Sequence, residues 1–319
     1  KVTIDFLKGE TTDLQFQRED LKYYGPFFET INYYFSSSLL ESFNVDYVSA
    51  FHILIILTAG LGLLFLFRLA SALLGEQIAL LACAFLMFLP RYAAHAQFNS
   101  KDIPLTTFFI IVLFYLYSAF IKRKMEPRRR ESVVPCISVA GRNPAPKADP
   151  SNILSLRKII GLLVRRVKHI ILAGLFLGLG VATRMDLILA LPVFFIAYAL
   201  YLVFEKKILA SPKIWRVLKT DTISLAIMSF FGLLSVFLSW PSLWKNPKLL
   251  IESFLFFLRH GWQGQVFYFN QFYTAASLPW HYAPFFIFAT LPLAILILFG
   301  FGFYKIFHEL KQKKTYFYL

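Results

Sequence analysis

The densest group of reactive side chains in this 319-residue chain lies in the short stretch PRYAAHAQFNSKDIPL, residues 90–105. A carboxylate there can remove a proton from an acceptor hydroxyl, and a cation beside it can neutralise a phosphate. The structural alternative is that Asp102 caps the helix that follows, with Pro104 in its first turn. The chemically capable residues are Arg91, His95, Asn99, Lys101 and Asp102.

A second pair of charges lies in GLGVATRMDLILALP, residues 178–192, where Arg184 and Asp186 separate two apolar segments almost without a loop. Each would cost about 2.5–3.5 kcal/mol at the centre of a membrane helix. Both side chains are therefore expected to reach the membrane surface or a polar cavity. Either they form a local ion pair, or Arg184 binds an anionic head group.

The first 48 residues carry eight acidic side chains and many aromatic ones. Glu19 and Asp20, just before KYYGPFFE, are either solvated loop acids or a general base or metal ligand at the water–lipid boundary. A surface helix is predicted from Pro26. Its expected apolar face consists of Phe27, Ile31, Tyr34 and Phe35.

Residues 242–283 form another aromatic stretch, in which a surface helix is predicted over 247–260. Trp and Tyr beside Gly, Gln and Asn suit sugar stacking, but they equally suit the aromatic belt of a membrane interface. The candidate substrate-binding side chains are Tyr24, His95, Asn99, Trp262 and His281.

The amino-acid composition indicates the class of fold that positions these residues. The chain is 58% hydrophobic, its mean hydropathy is +0.60, and only 16% of its residues are charged, against about 25% in soluble domains. These values exclude a soluble globule or a disordered chain, and predict an all-α polytopic membrane protein. About seven transmembrane helices are predicted, at 49–73, 75–91, 104–121, 169–184, 187–204, 221–241 and 284–304.

If these spans alternate, almost the whole net charge of +15 falls on one side, which the positive-inside rule makes cytoplasmic. A nucleic-acid partner is then not indicated. A single transmembrane domain, 1–319, is predicted. It has a first outer loop at 1–48, a basic cytoplasmic loop at 122–168 and an aromatic outer loop at 242–283. Phosphate-loop, zinc-protease and nucleophile-elbow motifs are absent from the sequence, so soluble-cofactor chemistry lacks support.

The segments FNSKDIPL, KYYGPFFE, ATRMD and LPWHYAPFFIFATLPL resemble a GT-C fold membrane glycosyltransferase. The similarity is to the superfamily of protein O-mannosyltransferases and aminoarabinose lipid A transferases. It extends over nearly the whole chain and is strongest at PRYAAHAQFNSKDIP. The resemblance implies a GT-C-like helical bundle, a polyprenyl-phosphate sugar donor, and two acids in successive outer loops.

Carried over residue by residue, the resemblance makes Asp102 the second acid, with Lys101 beside it. Glu19 and Asp20 are the available match to the first acid. In many relatives an Asp-Glu pair follows a first span, so a first span is expected to precede Lys1. The first acid is then either Glu19 or Asp20, or a residue before Lys1. If a divalent cation (Mg²⁺ or Mn²⁺) takes part, Asp102 and Asp20 are its candidate ligands.

The implied activity is inverting transfer of a sugar to a protein, lipid or glycan acceptor, with a carboxylate as base. Lys101, Arg91 and Arg184 would offset the charge on the leaving phosphate. The implied location is the bacterial plasma membrane, with the active site on the periplasmic or extracellular face. Two alternatives remain open: a non-catalytic or decayed GT-C-like membrane subunit, and a transporter or flippase for a lipid-linked substrate.

Overall fold

The structure is a computed structural model that describes residues 22–121, 150–204, 214–259 and 264–311. Glu19, Asp20 and Trp262 lie outside these residues. The first half contains α1 (Phe27–Phe43), α2 (Tyr47–Leu74), α3 (Glu76–Met87), α4 (Pro90–Phe98) and α5 (Asp102–Leu116), which continues as a π-helical turn, Tyr117–Ile121.

The second half contains α6 (Pro150–Val181), a 3₁₀ turn (Met185–Leu189), α7 (Ala190–Phe204), α8 (Ile214–Ser239), α9 (Ser242–Lys245) and α10 (Leu249–Arg259). A β-hairpin of β1 (Gln265–Tyr268) and β2 (Gln271–Thr274) follows, then a 3₁₀ turn (Ala275–Ser277), α11 (Tyr282–Thr290) and α12 (Leu293–Lys311). The protein is therefore an all-α polytopic membrane protein with one small hairpin, as the composition predicts.

Among the described residues, three helical segments are long and apolar enough to cross a membrane: Tyr47–Leu74, Asp102–Ile121 and Lys219–Ser239. Two helix pairs would raise the number to five, α3 with α4, bent by 68°, and α11 with α12, bent by 112°. Seven spans are not confirmed. The predicted straight spans 75–91 and 284–304 are both broken. Each break lies where a proline, Pro90 or Pro292, forces the preceding residue into an extended conformation.

Local chemistry explains where α2 begins and ends. The Asp46 carboxylate accepts a hydrogen bond of 2.9 Å from the backbone amide of Ser49, which satisfies one of the free donors of the first turn. Gly75 ends the helix at a φ of +89°, a conformation that side chains with a Cβ avoid. The chain then reverses into α3.

Contacts between helices define two ends of the bundle. Thr107 donates to the carbonyl of Thr58 towards one end, and Tyr117 donates to the carbonyl of Ala72 at the other. Helices α2 and α5 therefore run parallel, and α3 and α4 lead the chain back from the end of α2 to the start of α5. We call the first of these the Asp102 end, because α5 begins there. Helix α5 is the central element, with Ile111, Val112 and Leu116 fully buried.

Helices α6 and α8 also run parallel and pack closely through glycine. A Cβ at Gly174 would overlap the carbonyl oxygen of Met228, and one at Gly178 would overlap that of Gly232. Small residues four apart allow such close approach in membranes, where dispersion contacts and weak polar contacts replace the hydrophobic effect. This pairing places the C-terminal ends of α6 and α8 side by side at the Asp102 end of the bundle.

Candidate functional site

The turn before α5 is built by the side chain of Asn99. Its Oδ1 accepts hydrogen bonds from the backbone amides of Lys101, at 3.0 Å, and Asp102, at 2.8 Å. Asp102 is itself the first residue of α5. The alternative in which Asp102 caps this helix is therefore wrong, since Asn99 already satisfies the amides and leaves the Asp102 carboxylate for other contacts.

Those contacts join two segments that are far apart in sequence. Oδ1 of Asp102 is ion-paired with Nη1 of Arg184, and Oδ2 accepts a hydrogen bond of 2.9 Å from Nδ2 of Asn99. Nε of Arg184 also donates to Asp186 at 2.8 Å, so the expected local ion pair forms as well. Arg184 thus lies between two carboxylates. The exposed fractions of the Asp102 and Arg184 side chains are 47% and 34%, so water reaches the pair.

His95, one helical turn before Asn99, is hydrogen-bonded to the same turn. Its Nδ1 lies 2.6 Å from Nδ2 of Asn99. The amide nitrogen can only donate, so Nδ1 of His95 accepts and the neutral ring carries its proton on Nε2. Asn99 therefore uses its oxygen on two backbone amides and its nitrogen on His95 and Asp102. The turn, the imidazole and the carboxylate form one hydrogen-bonded unit.

The two remaining cations of this segment, Lys101 and Arg91, are exposed. Nζ of Lys101 lies 4.8 Å above the ring of Tyr24, whose edge packs against Phe257 of α10 at 5.0 Å between centroids. Within residues 22–121, 150–204, 214–259 and 264–311, no ion pair involves Lys101 or Arg91. Tyr24 is thus brought to the site as expected, and the cation above it faces solvent.

Glu29 is a site residue that the sequence reasoning counted among the loop acids but did not select. Its Oε1 accepts a hydrogen bond of 2.6 Å from the hydroxyl of Ser100, within the turn that Asn99 organises. The position of α1 explains this contact. Gly25 packs against the carbonyl of Ala182, which also accepts from the amide of Phe27 at 3.0 Å. The sequence feature that could have identified Glu29 is its position in the first turn of the predicted helix.

Helix α1 is present as predicted, and part of its expected apolar face is directed outwards, as in a helix that lies at a surface. Phe28, Asn32 and Ser36 are buried, whereas Ile31 and Tyr34 are exposed. The polar members of the buried face are satisfied, because Nδ2 of Asn32 donates to the carbonyl of Phe51 at 3.1 Å and the hydroxyl of Ser36 donates to Oδ1 of Asn32. Hydrophobic periodicity alone could not identify that face.

The other face of α1 borders an apolar groove at the Asp102 end. The groove has a volume of about 360 Å³ and lies between α1, α6 and α8. Phe27, Thr30 and Ile31 line it on one side, and Leu179 and Leu238 line it on the others. The groove and Glu29 therefore share the first turns of one helix.

The predicted helix over 247–260 is also present, as α10. The sequence pattern predicts a lipid-facing side made of Leu249, Leu250, Phe254, Phe257 and Leu258, but not all of these residues face outwards. Leu249 is buried in the core, and Phe257 contacts Tyr24. Phe254 and Leu258 are exposed as expected. Helix α10 therefore packs one edge against the chain just before α1, which helps to hold Tyr24 near Lys101.

The other predicted site residues are not brought to this cluster by the described contacts. His281 is exposed and lies beside Tyr268 of the hairpin, at 5.7 Å between ring centroids. Glu19, Asp20 and Trp262 lie outside the described residues. The described part of the chain contains no group of three or more His, Cys, Asp or Glu side chains arranged to hold a metal ion.

Comparison with family models gives one finding. Residues 33–127 match the dolichyl-phosphate-mannose-protein mannosyltransferase family. The chain resembles a GT-C membrane glycosyltransferase. The match covers less than half of the chain, from within α1 to just beyond the π-helical turn, and includes His95, Asn99, Lys101 and Asp102. No curated protein and no solved structure matches the chain.

This similarity supports a mannosyltransferase-like membrane glycosyltransferase in general terms. Together with the apolar helices it supports a multi-pass integral membrane protein. Arg184 and Glu29 lie outside the matched residues, yet they contact Asp102 and Ser100 within them, and Asp186 joins the cluster through Arg184. The polar cluster therefore extends from the matched region into the rest of the bundle.

Proposed function

We propose that the protein transfers a sugar from a polyprenyl-phosphate donor to an acceptor, by inverting displacement with a carboxylate as the base. One observation supports this most directly: the joined unit of His95, Asn99, Asp102 and Arg184 at one end of a largely apolar bundle. Ionisable groups are costly within a membrane protein and usually mark its site of action. The outer face of the membrane, and a bacterial plasma membrane, are part of the same proposal.

Two carboxylates flank the turn before α5, and each can serve as the base. Asp102 keeps one lone-pair site on each oxygen after accepting from Arg184 and Asn99, and its side chain is half-exposed. Glu29 reaches the same turn through Ser100. Glu29 thus joins Glu19 and Asp20 as a candidate for the first-loop acid that the family resemblance implies. Asp102 remains the candidate for the second.

The leaving phosphate needs a cation that is available to bind it. Lys101 is the strongest candidate, since it is exposed and its described contact is the face of Tyr24. Arg91 is exposed one turn of α4 before His95. Arg184 is already neutralised by Asp102 and Asp186, so its main role in this arrangement is to orient Asp102. Binding of phosphate by Arg184 would require one of these carboxylates to move.

The apolar groove supports a lipid-linked donor rather than a free nucleotide sugar. It lies at the Asp102 end, and eight of its eleven lining residues are aliphatic, aromatic or proline, the other three being Thr30, Ser235 and Ser239. A prenyl chain would bury apolar surface there while its phosphate stays near the polar end. The sugar would then lie between the phosphate-binding cations and the carboxylates.

A transporter for a lipid-linked substrate is the second candidate, and one observation favours it. Arg166 and Asp221 form an ion pair of 2.7 Å with side chains only 11% and 10% exposed, far from the Asp102 cluster. The hydroxyl of Tyr198 donates to the same Asp221 at 2.5 Å. Buried charge of this kind also occurs along ion and substrate pathways.

The test uses the full-length protein in nanodiscs with a panel of radiolabelled polyprenyl-phosphate sugars, with and without EDTA. Turnover of one donor would support the proposal and name the sugar, and loss of turnover in EDTA would assign a divalent cation such as Mg²⁺ or Mn²⁺. Donor binding without turnover in the presence of protein, lipid and glycan acceptors would favour a non-catalytic subunit. Movement of donor across liposomes without transfer would favour the transporter.

A further inference from the structure

The β-hairpin presents an unusual aromatic face. Its register pairs Phe267 with Phe272 and Gln265 with Thr274, so these four side chains lie on one face. The two phenylalanines are in contact, at 5.1 Å between ring centroids, yet 57% and 70% exposed. Along this face, the residues near the tip are aromatic and those at the base are polar.

The tip itself is strained and carries a third phenylalanine. Phe269 and Asn270 form the two-residue turn with φ values of +44° and +65°. Hairpin turns of this kind strongly prefer Asn or Gly at both positions, because a larger side chain is disfavoured at positive φ. Phe269 is nevertheless at the first position and is 65% exposed. One side of its ring packs against Phe285 of α11, at 5.1 Å between centroids, and the larger part of the side chain is open to a partner outside the fold.

The opposite face of the hairpin is already occupied. Tyr268 is buried and contacts the rings of Tyr282, Phe285 and Phe286. The hairpin is thereby fixed on α11, the first half of a helix pair that qualifies as a membrane span. Exposed Ile287 and Phe288 continue the apolar surface along α11. The hairpin therefore carries exposed aromatic side chains beside a helix whose own exposed side chains are apolar.

The absence of charge in this part of the sequence also favours lipid as the partner of the aromatic face. Between Arg259 and Lys305 the sequence contains no Asp, Glu, Lys or Arg. A surface that binds a charged protein or nucleic acid would be expected to carry complementary charges, whereas a surface that enters a bilayer should carry none. Phenylalanine and tryptophan are side chains that such insertion uses, and Trp280, next to the hairpin, is the most exposed large apolar residue described.

We propose that the tip of the hairpin (Phe267, Phe269 and Phe272) inserts into the lipid bilayer at the Asp102 end and anchors the segment 264–282 there. The hairpin follows α8 and α10, which lie at this end, so insertion would hold that segment beside the polar cluster at the membrane boundary. This inference rests on the hairpin and α11, and it holds whether or not the protein transfers a sugar.

The test places an environment-sensitive fluorophore at single cysteines in the full chain, in phosphatidylcholine nanodiscs. Cys83 and Cys136 are first replaced by alanine. Phe269→Cys and Phe272→Cys report on the tip. Gln265→Cys is the matched control, because it is exposed on the same face at the base. Two tip positions are used so that a disturbed turn in Phe269→Cys does not decide the result.

We expect both tip labels to emit at shorter wavelength than the control. Doxyl-labelled lipid should quench them several-fold more strongly than iodide does, and the control should show the reverse order. Equal iodide quenching at tip and base would overturn the proposal. Protection of the tip from both quenchers would also overturn it, because a protein or a second copy of this chain would then cover the aromatic face.

Discussion

The substitution Asp102→Asn separates the catalytic role of this residue from its structural one. The amide keeps the shape of the side chain but replaces one acceptor oxygen by a donor nitrogen. That nitrogen must then face either Arg184 or Nδ2 of Asn99, both of which are donors. The cost to folding should be small, because the Asp102 side chain is 47% exposed and water can satisfy the displaced donor.

The substitution should have a small effect on stability and a large effect on the rate of transfer. A partly exposed ion pair contributes roughly 0.2–1 kcal/mol, so the free energy of unfolding should fall by less than about 1 kcal/mol. Loss of a general base typically lowers the rate by about 10²–10⁴-fold, which corresponds to about 2.7–5.5 kcal/mol in the activation barrier. Transfer should therefore be lost in a protein that remains folded and still binds donor.

The assay is single-turnover transfer from the radiolabelled donor in nanodiscs, with thermal unfolding measured on the same preparation. Asp186→Asn is the matched control, since it removes the other carboxylate from Arg184 but leaves Asp102 and Asn99 intact. We expect the control to lose less than about tenfold in rate. Normal transfer by Asp102→Asn would refute its role as base. Equal losses in both variants would show that the effect acts through the orientation of Arg184.

Three further predictions follow from the contacts described above. Glu29→Gln should lower transfer by at least about tenfold while donor binding persists, because the amide still accepts from Ser100 but cannot act as a base. Gly25→Ala should destabilise the protein by about 1–3 kcal/mol, since the new Cβ would overlap the backbone carbonyl of Ala182; thermal unfolding in detergent measures this. Asp221→Ala should cost about 3–5 kcal/mol in unfolding free energy, because Arg166 would be left as an uncompensated buried charge.

Each of these has a matched control in the same chain. Glu41→Gln changes an exposed carboxylate at the far end of α1 and should leave transfer intact. Gly60→Ala adds a Cβ that meets no atom within 4 Å, so it should not reproduce the effect of Gly25→Ala. Glu252→Ala removes an exposed acid and should not match the loss at Asp221. Equal effects in a variant and its control would contradict the corresponding contact.

The sequence determined the class of protein and much of the site. Mean hydropathy and apolar segment length are sums over the chain, so they predict a polytopic helical membrane protein without any tertiary information. The motif around Asn99 and Asp102 is local, and its polar side chains contact one another within a few positions. Arg184 beside Asp186 was also predictable, because charges between two apolar segments need partners.

Only the tertiary structure decided which distant residues meet. The ion pair between Arg184 and Asp102 joins residues 82 positions apart, and the hydrogen bond between Ser100 and Glu29 joins residues 71 apart. The first depends on the packing of α5 against α6, and the second on the packing of the chain before α1 against the end of α6, where Gly25 fits the carbonyl of Ala182. Hydrophobic periodicity does not encode such contacts. For the same reason it does not predict the buried face of α1, where hydrogen bonds of Asn32 and Ser36 stabilise a polar stripe.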